Sequence, residues 1–190
     1  MPLNIPNLLT WARIVLIPLF VGVFYAPLHW LSLHEQNLAA TVIFVIAAIT
    51  DWLYGWLARK LGQTSAFGAF LDPVADKLMV VAALLILVQL ERTDAILAFI
   101  IIGREIAISA LRELMAKIGA ARSVAVSLIG KLKTTAQMVA IPLLLYADSL
   151  AGVSMLWLGN WLILFAVILT LWSMVYYLKM AWPEISSRSK

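Results

Sequence analysis

Six apolar runs follow one another along the chain, at about 8–26, 38–58, 75–90, 96–114, 124–147 and 155–180. Each is close to the roughly 20 residues that an α-helix needs to cross a bilayer. The third is short as an apolar run, and its helix is expected to begin earlier, near Gly68. The sixth is long enough to cross with tilt or to emerge as an exposed helix. The runs leave little else: 64% of the 190 residues are hydrophobic and 13% charged, against about 45–50% and about 25% in soluble domains. A chain of this size keeps too much surface in water to hide that excess. Composition therefore excludes a soluble enzyme, a disordered chain and a nucleic-acid binder. The expected fold class is an all-α membrane protein of six transmembrane helices, one domain over residues 1–182 with a short, frayed polar tail at 183–190.

Lys and Arg divide unevenly between the two ends of these spans. One side collects Arg59, Lys60, Arg112, Lys117, Arg122, Lys179, Arg188 and Lys190; the other holds His29, His34, Glu35, Glu91, Asp94 and Asp148, with Arg92 as its only Lys or Arg. The basic side is read as cytoplasmic, which places both termini there and makes the chain multi-pass. Trp30, Trp157 and Trp161 near the far boundary and Trp182 near the cytoplasmic one suit an interfacial belt. The first run has no basic segment before it and no small-x-small site after it, so it is read as a retained span rather than a signal peptide. The absence of cysteine rules out disulfides and thiolate metal sites.

Charge inside apolar spans is expensive, about 2.5–3.5 kcal/mol at a helix centre on insertion scales. Here it lies on the cytoplasmic side: Asp51, Arg59, Asp72, Asp76, Lys77, Arg104, Glu105, Arg112, Lys131 and Lys133. The densest stretch carries Asp51, Tyr54, Gly55 and Ala58, which share one helical face at offsets 0, 3, 4 and 7, then Gly68, Asp72 and Asp76 in steps of four. Two carboxylate faces joined by a short loop suit a hard cation such as Mg²⁺ or Mn²⁺. The plainer reading is that the carboxylates pair with Arg59, Lys77 or Arg104.

These residues resemble the signature D-x2-D-G-x2-A-R-x8-G-x3-D-x3-D of the CDP-alcohol phosphotransferase family. Asp51, Gly55, Ala58, Arg59, Gly68, Asp72 and Asp76 match it with every spacing kept. The opening Asn4-Ile-Pro6-Asn7-Leu-Leu-Thr10 with Arg13, together with Arg104-Glu105, Arg112-Glu113 and Gly130-Lys131-Leu-Lys133-Thr134-Thr135, is similar to the branch whose acceptor is sn-glycerol 3-phosphate. The resemblance implies a six-helix inner-membrane enzyme that moves a phosphatidyl group from CDP-diacylglycerol to that acceptor and releases CMP. It further implies two Mg²⁺ or Mn²⁺ ions in the unsubstituted site, with Asp51, Asp72 and Asp76 as metal ligands, Asp72 and Asp76 as catalytic residues and Asp76 as the candidate base. Asp51, Gly55, Ala58, Arg59 and Gly68 would form the CDP-diacylglycerol site, and Arg104, Arg112, Lys131 and Lys133 an acceptor phosphate clamp. A homodimer with spans three and four in contact and a lipid surround is implied as well. Lys131 and Lys133 are two apart and cannot face one point on an undistorted helix; Arg104 and Lys131 are expected to be the better placed pair.

One position departs from the signature: Tyr54 stands where the family has its second aspartate. A phenol, with an ordinary pKa of about 10, is neutral at pH 7 and bulkier than a carboxylate. The expectation is weakened metal and nucleotide-lipid binding and slow turnover in this chain. Three other readings are a different alcohol acceptor, a catalytically silent structural paralogue, for which only Tyr54 speaks, and an ion-coupled transporter. The transporter predicts charge spread through the membrane depth and an inverted repeat, and the sequence has neither.

Overall fold

The computed structural model describes residues 5–61, 66–120 and 128–188, with side chains at 10–53, 60, 71–120 and 130–186. Helices occupy the six apolar runs: α1 (Ile5–Tyr25), α2 (Leu33–Leu61), α3 (Ala66–Gln89), α4 (Ala95–Lys117), α5 (Leu128–Tyr146) and α6 (Met155–Arg188). α3 begins close to Gly68, as the short third run required. Among the described residues, Leu33–Leu53 and Met155–Ser186 are long and apolar enough to cross a membrane. The only strands described are two-residue ones, β1 (Ser149–Leu150) and β2 (Val153–Ser154), paired antiparallel. Their turn places Ala151 and Gly152 at φ 51° and 82°, the left-handed pair of a tight hairpin.

Local chemistry sets the helix ends. Ser32 and Glu35 form a reciprocal capping box at the start of α2, with Ser32 N–H donating to Glu35 Oε2 at 2.7 Å. Asp94 caps α4 by accepting from Ile96 N–H at 2.7 Å. α4 stops in a Schellman turn: Gly119 takes φ 73°, and Ala120 N–H donates back to Met115 O at 2.8 Å. The expected frayed tail is instead helical to Arg188, because Ala181 and Ile185 pack against Met115 and Ile118 of α4 and its exit turn.

The core draws on every helix, with Phe20, Phe44, Leu84, Ile101, Leu144 and Val167 among its buried members. Outside it lies an apolar coat: Val15, Leu85, Phe99, Ile106, Trp172 and Val175 are all more than half exposed. An apolar surface this continuous is costly in water and costs nothing against hydrocarbon.

Tertiary contacts show the helices running alternately up and down. At one end, Arg92 between α3 and α4 donates to Leu144 O (3.3 Å) and Leu145 O (2.7 Å) of α5 and to Asn37 Oδ1 of α2 (2.7 Å). It thereby satisfies carbonyls that the last turn of α5 leaves open. His34 Nδ1 and Asp148 Oδ2 meet there at 2.5 Å, joining the start of α2 to the end of α5. The start of α1, the end of α2 and the start of α3 meet at the opposite end.

α5 and α6 approach closely at Gly159, where an added Cβ would stand 2.7 Å from Leu144 Cγ and 3.2 Å from Leu144 N. Leu144 is fully buried and has nowhere to retreat. Gly159→Ala is therefore expected to destabilise the bundle by about 1–3 kcal/mol. A thermal melt in detergent would read this as a midpoint lower by about 2–4 °C per kcal/mol.

Candidate active site

Asp51 lies on α2 and Asp72 on α3, and both carboxylates turn toward α1. Arg13 Nη1 stands 3.0 Å from Asp51 Oδ1 and donates to Asp72 Oδ1 at 2.8 Å. Arg13 is 1% exposed, and its Nε and Nη2 are buried without a partner among the described residues. Among the described residues the cation on these aspartates is Arg13, and neither Lys77 nor Arg104 forms an ion pair with them; the Arg59 side chain lies outside the described residues. Arg13 shares its inner face of α1 with Thr10 and Phe20, at helical spacing.

Asp76, one turn beyond Asp72, faces a cavity of about 230 Å³ also lined by Lys77, Glu105, Arg112, Thr134 and Gln137. α4 and α5 supply its charged wall. Lys133 Nζ donates to Glu105 Oε1, and Arg104 Nη1 lies 3.5 Å from the same oxygen. Arg104 and Lys133 are buried; Arg112 is exposed at the cavity, and Lys131 is exposed. The lysine brought inside is therefore Lys133, not Lys131. Gly130, Lys133, Ala136, Gln137 and Ala140 form the buried stripe of α5, and Lys131 falls off it.

α6 backs this wall. Arg104 Nη2 donates to Ser173 Oγ at 3.2 Å, and the Tyr177 ring centroid lies 5.8 Å from Arg104 Cζ and 5.6 Å from Arg112 Cζ. Tyr54, Gly55, Ala58 and Arg59 fall in α2 and Gly68 in α3, but their side chains lie outside the described residues. Arg122 lies outside them altogether.

The donors suit a hard divalent cation: they are carboxylate oxygens, and two of them already converge on one positive charge. Among the described residues no three His, Cys, Asp or Glu side chains close round a common point. Asp51 and Asp72 supply a pair, and Asp76 is set one turn further along α3.

A family model, CDP-alcohol phosphatidyltransferase, matches residues 3–172. The chain belongs to that family. Among curated relatives, the CDP-diacylglycerol–glycerol-3-phosphate 3-phosphatidyltransferase of Escherichia coli is 49% identical over 191 residues, covering 97% of this chain and 98% of its own. Proteins with the same name from Shigella flexneri and Shigella boydii are 49% identical over 187 residues, with the same coverage.

The match to the CDP-alcohol phosphatidyltransferase family spans α1 to α5 and about the first half of α6, ending just before Ser173. Sequence reasoning assigned no role to Arg13, Glu105, Ser173 or Tyr177. A lone arginine inside the first apolar run was the available signal for Arg13. For α6 it was Thr170, Ser173 and Tyr177, a polar stripe at helical spacing in an apolar helix.

Proposed function

We propose that this chain transfers a phosphatidyl group from CDP-diacylglycerol to sn-glycerol 3-phosphate, giving phosphatidylglycerophosphate and CMP. The observation that carries it is the Asp51–Asp72 pair, with Asp76 one turn further along α3 at a cavity that has Arg112 at its wall and Arg104 and Lys133 behind it. A plain alcohol needs no such cations, whereas a phosphorylated one does. The names of relatives at 49% identity support the same donor and acceptor.

In this reading an acceptor hydroxyl attacks the β-phosphorus of CDP-diacylglycerol. The new P–O bond forms, the bond to the CMP phosphate breaks, and the hydroxyl proton passes to Asp76. Asp51, Asp72 and Asp76 would hold Mg²⁺ or Mn²⁺, which when bound neutralises the diphosphate and the leaving phosphate. Asp51, Gly55, Ala58, Arg59 and Gly68 would form the CDP-diacylglycerol site. Arg104, Arg112 and Lys133 would receive the acceptor's phosphate, with exposed Lys131 at its edge. The protein would cross the inner membrane six times as a homodimer, with both termini and the site on the cytoplasmic side; the uneven Lys and Arg distribution supports that orientation. Outward-facing Leu78 and Leu85 of α3 and Phe99 and Ile106 of α4 suit a dimer contact.

The test is CMP release from CDP-diacylglycerol by purified protein, with and without Mg²⁺ and glycerol 3-phosphate. Release that requires both supports the reading. Release with glycerol but not its phosphate would overturn the acceptor, and none under any metal in either this chain or Tyr54→Asp would overturn the enzyme. In the same assay Lys133→Met is expected to raise the KM for glycerol 3-phosphate about tenfold, the loss of one charge-assisted contact. Lys131→Met is expected to change it about twofold or less.

A further inference from the structure

Arg104 and Arg112 are eight residues apart on α4. On an undistorted helix that spacing separates their Cα atoms by about 12 Å in rise and turns them about 80° apart. The periodicity of α4 therefore does not bring the two guanidiniums together. Yet both Cζ atoms lie within 5.8 Å of a single ring, that of Tyr177 on α6. This is inside the range of about 6 Å over which the negative face of an aromatic ring attracts a cation. Each guanidinium is thus held against the same ring, whose attraction offsets part of the repulsion between the two charges.

The platform itself is rigid. Tyr177 is 0% exposed and packs with Ile108, Met115 and Ala181 in a small cluster between α4 and α6. One turn earlier, Ser173 Oγ accepts from Arg104 Nη2 at 3.2 Å while donating its own proton to Thr170 O at 3.0 Å. Arg104 is thus fixed by ring, hydroxyl and Glu105. Arg112 makes no ion pair among the described residues, so the ring is what sets its head at the cavity wall beside Asp76 and Glu105.

We propose that Tyr177 is a positioning residue for phosphomonoester recognition: its buried ring aligns Arg104 and Arg112 so that their guanidiniums serve one phosphate. The inference rests on the reading that these arginines receive the acceptor's phosphate. It adds that the geometry of the pair is imposed by α6 rather than by α4. Tyr177 touches no substrate; it acts through the arginines.

The experiment compares Tyr177→Leu, Tyr177→Phe and Arg112→Gln by calorimetric titration of the purified protein with glycerol 3-phosphate, and separately with CDP-diacylglycerol in micelles. Binding needs no turnover, and the series is run in the Tyr54→Asp background as well, so that weak nucleotide-lipid binding by the tyrosine form does not mask the CDP-diacylglycerol arm. Tyr177→Leu is expected to weaken glycerol 3-phosphate about tenfold and leave CDP-diacylglycerol within about twofold. Tyr177→Phe, which keeps the ring, restores acceptor affinity to within about twofold of the parent. Three results overturn the proposal: unchanged acceptor affinity in Tyr177→Leu, equal loss for both ligands, or a Phe variant as weak as the Leu one. If Tyr177→Leu does not fold, Ser173→Ala takes its place, with an expected loss of about threefold confined to the acceptor and no loss overturning the shared platform. Should Arg112→Gln leave acceptor binding unchanged, the clamp reading fails; should it weaken binding while Tyr177→Leu does not, only the role of Tyr177 fails.

Discussion

Tyr54→Asp is expected to raise Mg²⁺-dependent CMP release by about two orders of magnitude. With tyrosine at 54, three motif carboxylates remain, at 51, 72 and 76, and one of their charges is met by Arg13, which contacts two of them. A metal ion that polarises a phosphoryl oxygen is worth several kcal/mol of transition-state stabilisation, and each 1.36 kcal/mol is about tenfold in rate. Restoring a carboxylate one turn from Asp51 restores the negative charge that a divalent ion needs. The readout is the rate of CMP release at saturating Mg²⁺, with the Mg²⁺ concentration for half-maximal rate as a second measure. A parent chain as fast as Tyr54→Asp, at the same Mg²⁺ requirement, would show that the phenol is accommodated and that the fourth carboxylate is dispensable.

Arg13→Leu is expected to be the most damaging single substitution for stability. The side chain is 1% exposed and holds together carboxylates from two other helices, so its removal leaves Asp51 and Asp72 facing one another without a cation. Breaking a buried ion pair by deleting one partner costs about 3–5 kcal/mol. The lower end applies here, because Asp51 keeps 39% of its side-chain surface accessible. A second consequence separates this from simple loss of packing. In the parent, a divalent cation approaching Asp51 and Asp72 competes with Arg13 Nη1; in Arg13→Leu it does not. Mg²⁺ should therefore raise the melting midpoint of the variant more than that of the parent, by the linkage between ligand binding and stability. Equal Mg²⁺ shifts in the two proteins would mean that Arg13 does not stand at the cation's position.

The helices were legible because each carries a long apolar run, and starts such as Ala95 for α4 and Met155 for α6 fall where those runs imply, whereas α3 starts at Ala66, nine residues before its apolar run. The carboxylate ladder was legible for a related reason, since steps of four on a helix leave Asp72 and Asp76 on one side. Partners across helices were not. Nothing local ties Arg13 to Asp72, which is 59 residues away in the chain, and charge alone favoured nearer residues such as Lys77 and Arg104. The choice between Lys131 and Lys133 turned on the phase of α5. That phase is written in its small residues, Gly130, Ala136 and Ala140, and the two lysines' charges say nothing about it. The hairpin at 149–154 escaped because two-residue strands carry no period to detect.

Arg92 gives the bundle a mechanical asymmetry. Its guanidinium bolts the loop between α3 and α4 to the carbonyl end of α5 and to Asn37 of α2, so parting these helices there would strand several polar groups at once. At the other end of the same helices, α2 and α3 meet through the Arg13 guanidinium, and α4 and α5 through the Lys133–Glu105 pair. Those are charged contacts that an anionic substrate can exchange for its own. The polar ties at the Arg92 end are spent within the protein, whereas the charges gathered at the other end are of the kind that an anionic headgroup recognises.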